Sequence, residues 1–208
     1  GKPIAEFPAV REILATMKAK LDATRCLLYE TSRYVDMYKA YEDIARERSL
    51  TADERKEMKL YNKLADACTP LAKGLSSEYC NQNAYDAIQI HGGSGFMKDY
   101  ACERVYRDAR ITSIYEGTTQ LQVVAAIRHV LTGTYAQLVE GYKAMTVAPE
   151  LEAQVKILDE MFAKYQKAVD HIKEVNEAEY TDFMARRLVE MAGDCVMGWL
   201  LVTDASRS

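Results

Sequence analysis

The residues whose types and spacing could do chemistry lie in one stretch, 89–122, which concentrates glycines and hydroxyls in an otherwise Ala-, Leu-, Glu-, Lys- and Arg-rich chain. The turn Gly92-Gly93-Ser94-Gly95 allows left-handed backbone, which can end a helix or let the main chain come close to a ligand. Glu116 precedes Gly117 in a second turn, where a carboxylate is either a solvated side chain or a general base. Each motif is weak alone, because short glycine motifs produce many false positives.

Composition indicates a soluble globular protein. The 208 residues are 49% hydrophobic and 28% charged, enough for one or two domains with a filled core. A net charge of −4 lacks the basic footprint of proteins that bind nucleic acid or anionic membranes. Five scattered cysteines without a CxxC pair predict reduced, buried thiols and a cytoplasmic location. Neither a secretory signal nor a membrane-spanning stretch of about 20 apolar residues is expected.

Helical periodicity runs through most of the chain. Apolar residues at helical spacing predict one long helix over 9–47 and a second from Thr51, which has capping-box spacing to Glu54. Pro70 is expected to kink or break this second helix, because proline lacks a backbone donor. Further helices are predicted over 100–108 with Asp99 as the cap, from Thr118 or Thr119 to Gly133, over 135–145, from Pro149, and from Thr181.

The predicted fold class is therefore all-α, an up-and-down helical bundle with a helical extension. Short connections favour antiparallel neighbours. Residues 111–116 are β-branched and aromatic, and we expect them to be extended before a turn at Gly117. The predicted bundle core consists of apolar side chains at helical spacing: Leu21, Leu28, Leu64, Leu75, Val124 and Ile127. No metal site is expected, because metal-ligand spacing is lacking among His91, His129 and His171.

Three blocks within 89–122, in the right order and spacing, resemble the C-terminal helical domain of the acyl-CoA dehydrogenases. They are QIHGGSGF from Gln89, ERVYRDAR from Glu103 and IYEGTTQ from Ile114. The resemblance is specific over 89–128. Three blocks in register are far more informative than the glycine motif by itself.

The resemblance thins after Gly133, where the chain is similar to the extra helices of long-form acyl-CoA dehydrogenases. It implies a C-terminal bundle over 1–133 and an additional helical region over 134–208 that is cut short. The family's N-terminal helical domain and middle β-domain are missing. We therefore expect the chain to be a fragment that is inactive by itself and binds FAD weakly or not at all.

The resemblance implies an FAD-dependent oxidoreductase of fatty acid metabolism that removes a proton from Cα and a hydride from Cβ of an acyl-CoA. It makes Glu116 the catalytic base, because this loop keeps the glutamate that some subfamilies place on an earlier helix. The family's thioester oxygen is stabilised by the backbone N–H of this glutamate and by the flavin ribityl chain. The substrate-binding positions are Tyr115, Glu116 and Gly117. The matching cofactor-binding positions are Gln89, Gly92, Gly93, Thr118 and Gln120.

The resemblance also implies partners. A homodimer or homotetramer is expected, because Gln89 and Gly93 match positions that touch the ADP half of FAD across a dimer interface. Electron-transfer flavoprotein is the expected acceptor, with no nucleic-acid or membrane partner. The charged residues Arg107, Asp108 and Arg110 are interpreted as ion pairs that position the Glu116 loop. Two alternatives stay open: a non-catalytic oligomerisation module, and a nucleic-acid-binding relative of the same fold, which the net charge disfavours.

Overall fold

The computed structural model describes residues 1–207, which form eight α-helices and two short 3-10 turns and contain no β-strand. The predicted all-α class is confirmed. None of the described helices is long and apolar enough to cross a membrane. In chain order the helices are α1 (Pro8–Glu47), α2 (Ala52–His91), α3 (Gly93–Phe96), α4 (Ala101–Thr112), α5 (Thr119–Leu131), α6 (Thr134–Lys143), α7 (Glu152–Val175) and α8 (Ala178–Ala205).

Helices α1 and α2 form the antiparallel frame of the bundle. Each has 40 residues, which corresponds to about 60 Å at 1.5 Å per residue. The end of α1 meets the start of α2 through Tyr41 and Glu57, and the start of α1 meets the end of α2 through Met17 and Asn83. The predicted capping box at Thr51 is confirmed, since both of its reciprocal hydrogen bonds form.

The predicted break at Pro70 does not occur. Helix α2 continues through Pro70, which is itself buried. Proline in a helix interior costs about 3 kcal/mol, but Ala67, Leu71 and Leu75 beside it are buried in the common core. Burying apolar side chains such as these gives about 1.5–3 kcal/mol each for the larger ones. Tertiary packing on both sides of Pro70 therefore outweighs the local defect.

The core is one continuous cluster to which both halves of the chain contribute. Helices α5 and α8 pack on the α1–α2 frame, α4 packs on α2, and α6 and α7 pack on α8. The buried hydroxyl of Tyr135 donates to the carbonyl of Ala67 at 2.6 Å, and the hydroxyls of Tyr34 and Tyr142 lie 3.1 Å apart. Residues 134–205 thus complete the same core as the bundle.

Part of the predicted core is wrong. Leu75 is buried, but Leu21, Leu28 and Val124 are 46%, 52% and 59% exposed. Leu27 and Val123 are buried in place of the adjacent Leu28 and Val124. Both positions of each adjacent pair are apolar, so the pattern alone cannot tell which one faces the bundle. Two further predicted core residues pack against the cluster while partly exposed: Leu64 and Ile127.

Candidate active site

The segment predicted to be extended, 111–116, is a helix end followed by a turn. Helix α4 runs to Thr112, and the backbone N–H groups of Ile114 and Tyr115 donate to the carbonyl of Ile111 at 2.9 and 3.1 Å. The strand preference of β-branched residues depends on pairing with a neighbouring strand. The described chain has no such strand, so the helical hydrogen bonds prevail.

Glu116 sits in this turn with left-handed backbone. Its φ is +52°, and Gly117 follows with φ +94°. Among the described residues, the one other non-glycine position with positive φ is Asn176, and asparagine tolerates this region better than glutamate. Such a conformation costs about 1–3 kcal/mol and persists only where the surroundings hold it.

Side chains from two helices hold the Glu116 turn. From α5, Gln122 Nε2 donates to the carbonyl oxygens of Glu116 and Gly117 at 3.2 and 3.3 Å. From α2, Lys73 Nζ donates to the same Gly117 carbonyl and lies 5.8 Å from the ring centroid of Tyr115. The Gly117 carbonyl therefore accepts hydrogen bonds from both α2 and α5.

The two ends of the turn are anchored as well. The Thr119 hydroxyl donates to Glu78 Oε1 at 2.6 Å, and the Thr119 N–H donates to the carbonyl of Ser113 at 3.2 Å. Asn81 Nδ2 donates to the carbonyl of Ala109 at 3.1 Å, which ties the end of α4 to α2. Thr118 caps α5 by accepting a hydrogen bond from the N–H of Leu121, as the sequence predicted.

The ion pairs expected before the turn are absent within residues 1–207. Arg107, Asp108 and Arg110 form no ion pair there, and Arg110 instead donates to the hydroxyl of Ser113. Ser113 is buried beneath the turn. A single arginine hydrogen bond thus supports the loop where charge pairing was expected.

Glu116 has two functional groups that the described residues leave without a partner. Its carboxylate is exposed, and no residue of the described chain accepts a hydrogen bond from its backbone N–H. A carboxylate can accept a proton, and a free N–H can stabilise a developing oxyanion. One residue in one strained turn therefore offers a base and an oxyanion donor side by side.

A second group of predicted residues surrounds the end of α2. Gln89 lines an open, largely apolar cavity of about 670 Å³ between α2, α3 and α4, together with Tyr85, Phe96 and Tyr106. Gly92 ends α2 with φ +59°, and a Cβ at either Gly92 or Gly93 would meet no atom within 4 Å. The backbone of this turn is therefore open to close approach by a ligand.

The predicted site residues form two sites. Tyr115, Gly117, Thr118 and Gln120 lie with Glu116 between α4 and the first turn of α5. The other three positions lie at the far end of α2, namely Gln89, Gly92 and Gly93. Lys73, which touches the Glu116 turn, and Gln89 are sixteen residues apart on α2, or about 24 Å along its axis.

Four residues of the site were not predicted from the sequence, namely Lys73, Glu78, Asn81 and Gln122. A signal for some of them is present in the sequence. Lys73, Ser77 and Asn81 recur at helical spacing beside Gly74 in the most buried part of α2. A polar stripe within a buried helix segment indicates hydrogen bonding to another element, because buried polar groups require partners.

Comparison with known proteins agrees with the fold. The family model described as "Acyl-CoA dehydrogenase, C-terminal domain" matches residues 1–131, and the one described as "Acyl-CoA dehydrogenase C terminal" matches residues 131–208. The helical bundle is thus that of an acyl-CoA dehydrogenase C-terminal region. This chain belongs to the acyl-CoA dehydrogenase family.

Two curated relatives illustrate the extent of the match. The broad-specificity linear acyl-CoA dehydrogenase FadE5 of Mycobacterium tuberculosis is 27% identical over 98% of this chain and 34% of its own length. The caffeyl-CoA reductase-Etf complex subunit CarC of Acetobacterium woodii is 37% identical over 59% of this chain and 26% of its own length. The chain therefore spans about a third or less of these relatives, as expected for part of such a protein.

Two solved structures share the fold. Caenorhabditis elegans ACDH-11, in complex with C11-CoA, has a TM-score of 0.75 at 21% identity, covering 100% of this chain and 34% of that chain. The Bacillus anthracis acyl-CoA dehydrogenase complexed with FAD has a TM-score of 0.63 at 27% identity, covering 99% and 36%. The likeness includes the helices after Gly133, because essentially the whole chain is covered.

Proposed function

We propose that this chain is the C-terminal part of an FAD-dependent acyl-CoA dehydrogenase that converts an acyl-CoA thioester to its α,β-unsaturated product. Membership of the family supports the reaction class. The observation that carries the proposal is the conformation of Glu116, whose φ of +52° is held by Gln122. A chain that served only as an oligomerisation module would have no need to hold a glutamate in strained backbone.

Glu116 performs both protein-derived steps at the reacting carbon atoms. Its carboxylate removes the proton from Cα, and its backbone N–H donates to the thioester oxygen as negative charge develops there. Tyr115 and Gly117 border the substrate on either side. A hydride leaves Cβ as the double bond forms, so that one proton and one hydride are removed in total.

The residues present fit the nucleotide part of an FAD. The Gly92–Gly93 backbone is unobstructed, and the amide of Gln89 lines the adjacent cavity. Amide groups and open backbone suit the polar atoms of a dinucleotide. FAD, when bound, supplies the hydride acceptor. The residues that we propose to hold it are Gln89, Gly92, Gly93, Thr118 and Gln120.

The proposal also covers the oligomeric state and the cellular location of the full-length protein. The separation of about 24 Å between Lys73 and Gln89 along α2 favours a homodimer or homotetramer, in which Gln89 and Gly93 serve the flavin of a partner subunit. The exposed apolar side chains of α1, including Leu14, Leu21 and Leu28, would then contact the remainder of the full-length protein or a second subunit. We propose a cytoplasmic enzyme with a bundle over 1–133 and an additional region over 134–208.

Electron-transfer flavoprotein is the proposed acceptor, as the Etf complex of the Acetobacterium relative supports. The names of two relatives favour the reverse reaction, reduction of an enoyl-CoA, as a second candidate function. CarC is a caffeyl-CoA reductase, and a Clostridium sporogenes relative, 34% identical over 63% of this chain, is a 3-(aryl)acrylate reductase. In that direction Glu116 would deliver the proton to Cα.

The decisive experiment uses the full-length protein under anaerobic conditions. Saturated acyl-CoAs of different length and branching are mixed with the oxidised protein, and enoyl-CoAs with the photoreduced protein. Bleaching of the flavin absorbance by an acyl-CoA would support dehydrogenation, and recovery of the absorbance with an enoyl-CoA would support reduction. A flavin-replete protein that responds to neither set would contradict the proposal.

A further inference from the structure

Lys73 reaches from the middle of α2 to the turn that carries Glu116. Its ammonium donates a hydrogen bond to the carbonyl of Gly117, 44 residues later in the chain. It also lies 5.8 Å from the centroid of the Tyr115 ring. One side chain therefore contacts both chain neighbours of Glu116.

The ammonium of Lys73 contacts a carbonyl and an aromatic ring and has no carboxylate partner among the described residues. The side chain is half-buried, and within residues 1–207 no carboxylate lies at ion-pair distance from it. Other lysines of the chain, such as Lys18 and Lys143, pair with aspartates. Ordering a lysine side chain and partly dehydrating its ammonium both oppose folding. The carbonyl and the aromatic face are the interactions that offset this cost.

Close packing leaves the turn little freedom to rearrange. A Cβ on Gly74, the neighbour of Lys73, would lie 3.3 Å from Cβ of Gln122, and one on Gly117 would lie 2.7 Å from Gln122 Nε2. Helix α2, the turn and α5 therefore approach one another closely at this point. Lys73 and Gln122 converge on the same Gly117 carbonyl from the two helices.

We infer that Lys73 is a positioning residue for Glu116. By contacting the Gly117 carbonyl and the Tyr115 ring, it holds the carboxylate and the N–H of Glu116 in the orientation that proton removal requires. The inference rests on the proposed function of Glu116 as the base. Lys73 acts by fixing the geometry of the turn.

The test compares Lys73→Met and Lys73→Arg in the full-length, flavin-loaded protein. Anaerobic rapid mixing with increasing concentrations of an acyl-CoA measures the limiting rate of flavin reduction and the half-saturating concentration. Misplacement of a reacting group by about 1 Å can cost about 100-fold, so we expect Lys73→Met to be about 10- to 100-fold slower at saturation. The half-saturating acyl-CoA concentration should change little. Lys73→Arg should restore part of the rate.

Lys63→Met is the matched control. Lys63 lies on the same helix, and its Nζ donates to Gln137 at 3.3 Å, away from the turn. This variant loses the same charge and should keep the wild-type rate. Hydrogen exchange of residues 113–119 in the same proteins gives a readout independent of activity. Exchange should become faster in Lys73→Met and stay unchanged in Lys63→Met.

The Glu116→Gln variant distinguishes a failure of the proposed base from a failure of the positioning role of Lys73. If this variant reduces its flavin at the wild-type rate, the proposed base is wrong, and the role of Lys73 falls with it. If Glu116→Gln is inactive while Lys73→Met keeps the wild-type rate and exchange, only the positioning role is wrong. Should Lys73→Met lose its flavin, hydrogen exchange still decides, because wild-type exchange of residues 113–119 in Lys73→Met would contradict a geometric role.

Discussion

Gln122, in the first turn of α5, donates a side-chain hydrogen bond to the backbone carbonyl of Glu116 at 3.2 Å. The same amide reaches the carbonyl of Gly117 at 3.3 Å. These bonds join the start of α5 to the strained position that precedes it. The residue proposed as the base is thus held by the helix that directly follows its turn.

Replacing Gly117 by alanine should release the turn from Gln122. Position 117 has φ +94°, and a Cβ there would lie 2.7 Å from Gln122 Nε2. The left-handed backbone costs an alanine about 1–2 kcal/mol, and each displaced hydrogen bond costs about 0.5–1.5 kcal/mol more. Urea unfolding of the 208-residue chain should show Gly117→Ala to be less stable by about 2–3 kcal/mol.

Gly133→Ala is the control for this experiment, because Gly133 also has positive φ, at +74°, but has open space around it. It should lose only the conformational cost of about 1–2 kcal/mol. Equal losses in the two variants would mean that the contact with Gln122 contributes nothing to stability.

Glu116→Gln should abolish the reaction while leaving binding nearly intact. Glutamine keeps the size and shape of the side chain but cannot accept the Cα proton. General-base catalysis contributes about 10²–10⁴-fold, so flavin reduction in the full-length protein should slow by at least about 100-fold. Flavin content and acyl-CoA binding serve as checks on folding. Glu160 is an exposed glutamate on α7, and the control variant Glu160→Gln should react like the wild type. If flavin reduction in Glu116→Gln is as fast as in the wild type, the base lies elsewhere.

His129 should make stability depend on pH below neutrality. Burial lowers its pKa from 6.5, against the opposing attraction of Asp66, and Arg128 lowers it further. Its Nε2 accepts a hydrogen bond from Arg128 Nε at 3.2 Å, which requires the neutral ring. Because the unfolded chain binds this proton more tightly, the free energy of unfolding should fall as pH drops through 6.5 and level off below the folded-state pKa.

Urea unfolding between about pH 5 and pH 8 measures this pH dependence of the free energy of unfolding. A pKa that is lowered by one unit on folding corresponds to about 1.4 kcal/mol. His129→Gln should flatten the slope near pH 6, because glutamine does not titrate. The exposed His171 is the matched position, and His171→Gln should retain the wild-type slope. An identical slope in all three proteins would assign the pH dependence to other groups.

Gly193→Ala should weaken the packing of α8 against α2. A Cβ at Gly193 would lie 2.1 Å from Cδ1 of Leu75, which is only 6% exposed and cannot move aside freely. Overpacking of this kind costs about 1–3 kcal/mol, to be measured by urea unfolding. Gly141 also lies inside a helix, α6, but has open space around it, so Gly141→Ala should stabilise by about 0.5–1 kcal/mol. Similar effects in both variants would show that α8 does not need this close approach.

The helix ends that depend on local chemistry could be predicted from the sequence. Thr51 and Thr118 cap α2 and α5, and Gly133 adopts left-handed backbone after α5. Each of these features uses groups only a few residues apart, so their spacing in the chain is also their spacing in space. Asp99 is an exception, because Tyr100 occupies the cap position of α4 without a side-chain hydrogen bond.

The burial of particular side chains could not be predicted in the same way. Leu27 is buried and Leu28 is exposed, although both are leucines and lie one residue apart. Likewise, Pro70 remains inside α2 because its surroundings in the folded bundle stabilise the helix. Propensity and periodicity describe a single helix, whereas burial depends on which neighbours pack against it.

The sequence by itself determined the all-α class, the order of the long helices, and the three blocks that mark the family and single out Glu116. Only the tertiary structure decided how Glu116 is held. Lys73 and Glu78 contact residues 44 and 41 positions away, and no local pattern encodes such pairs. The physical reason is that hydrogen bonds act over about 3 Å in space, and the packing of α2 against α5 alone brings these groups within that distance.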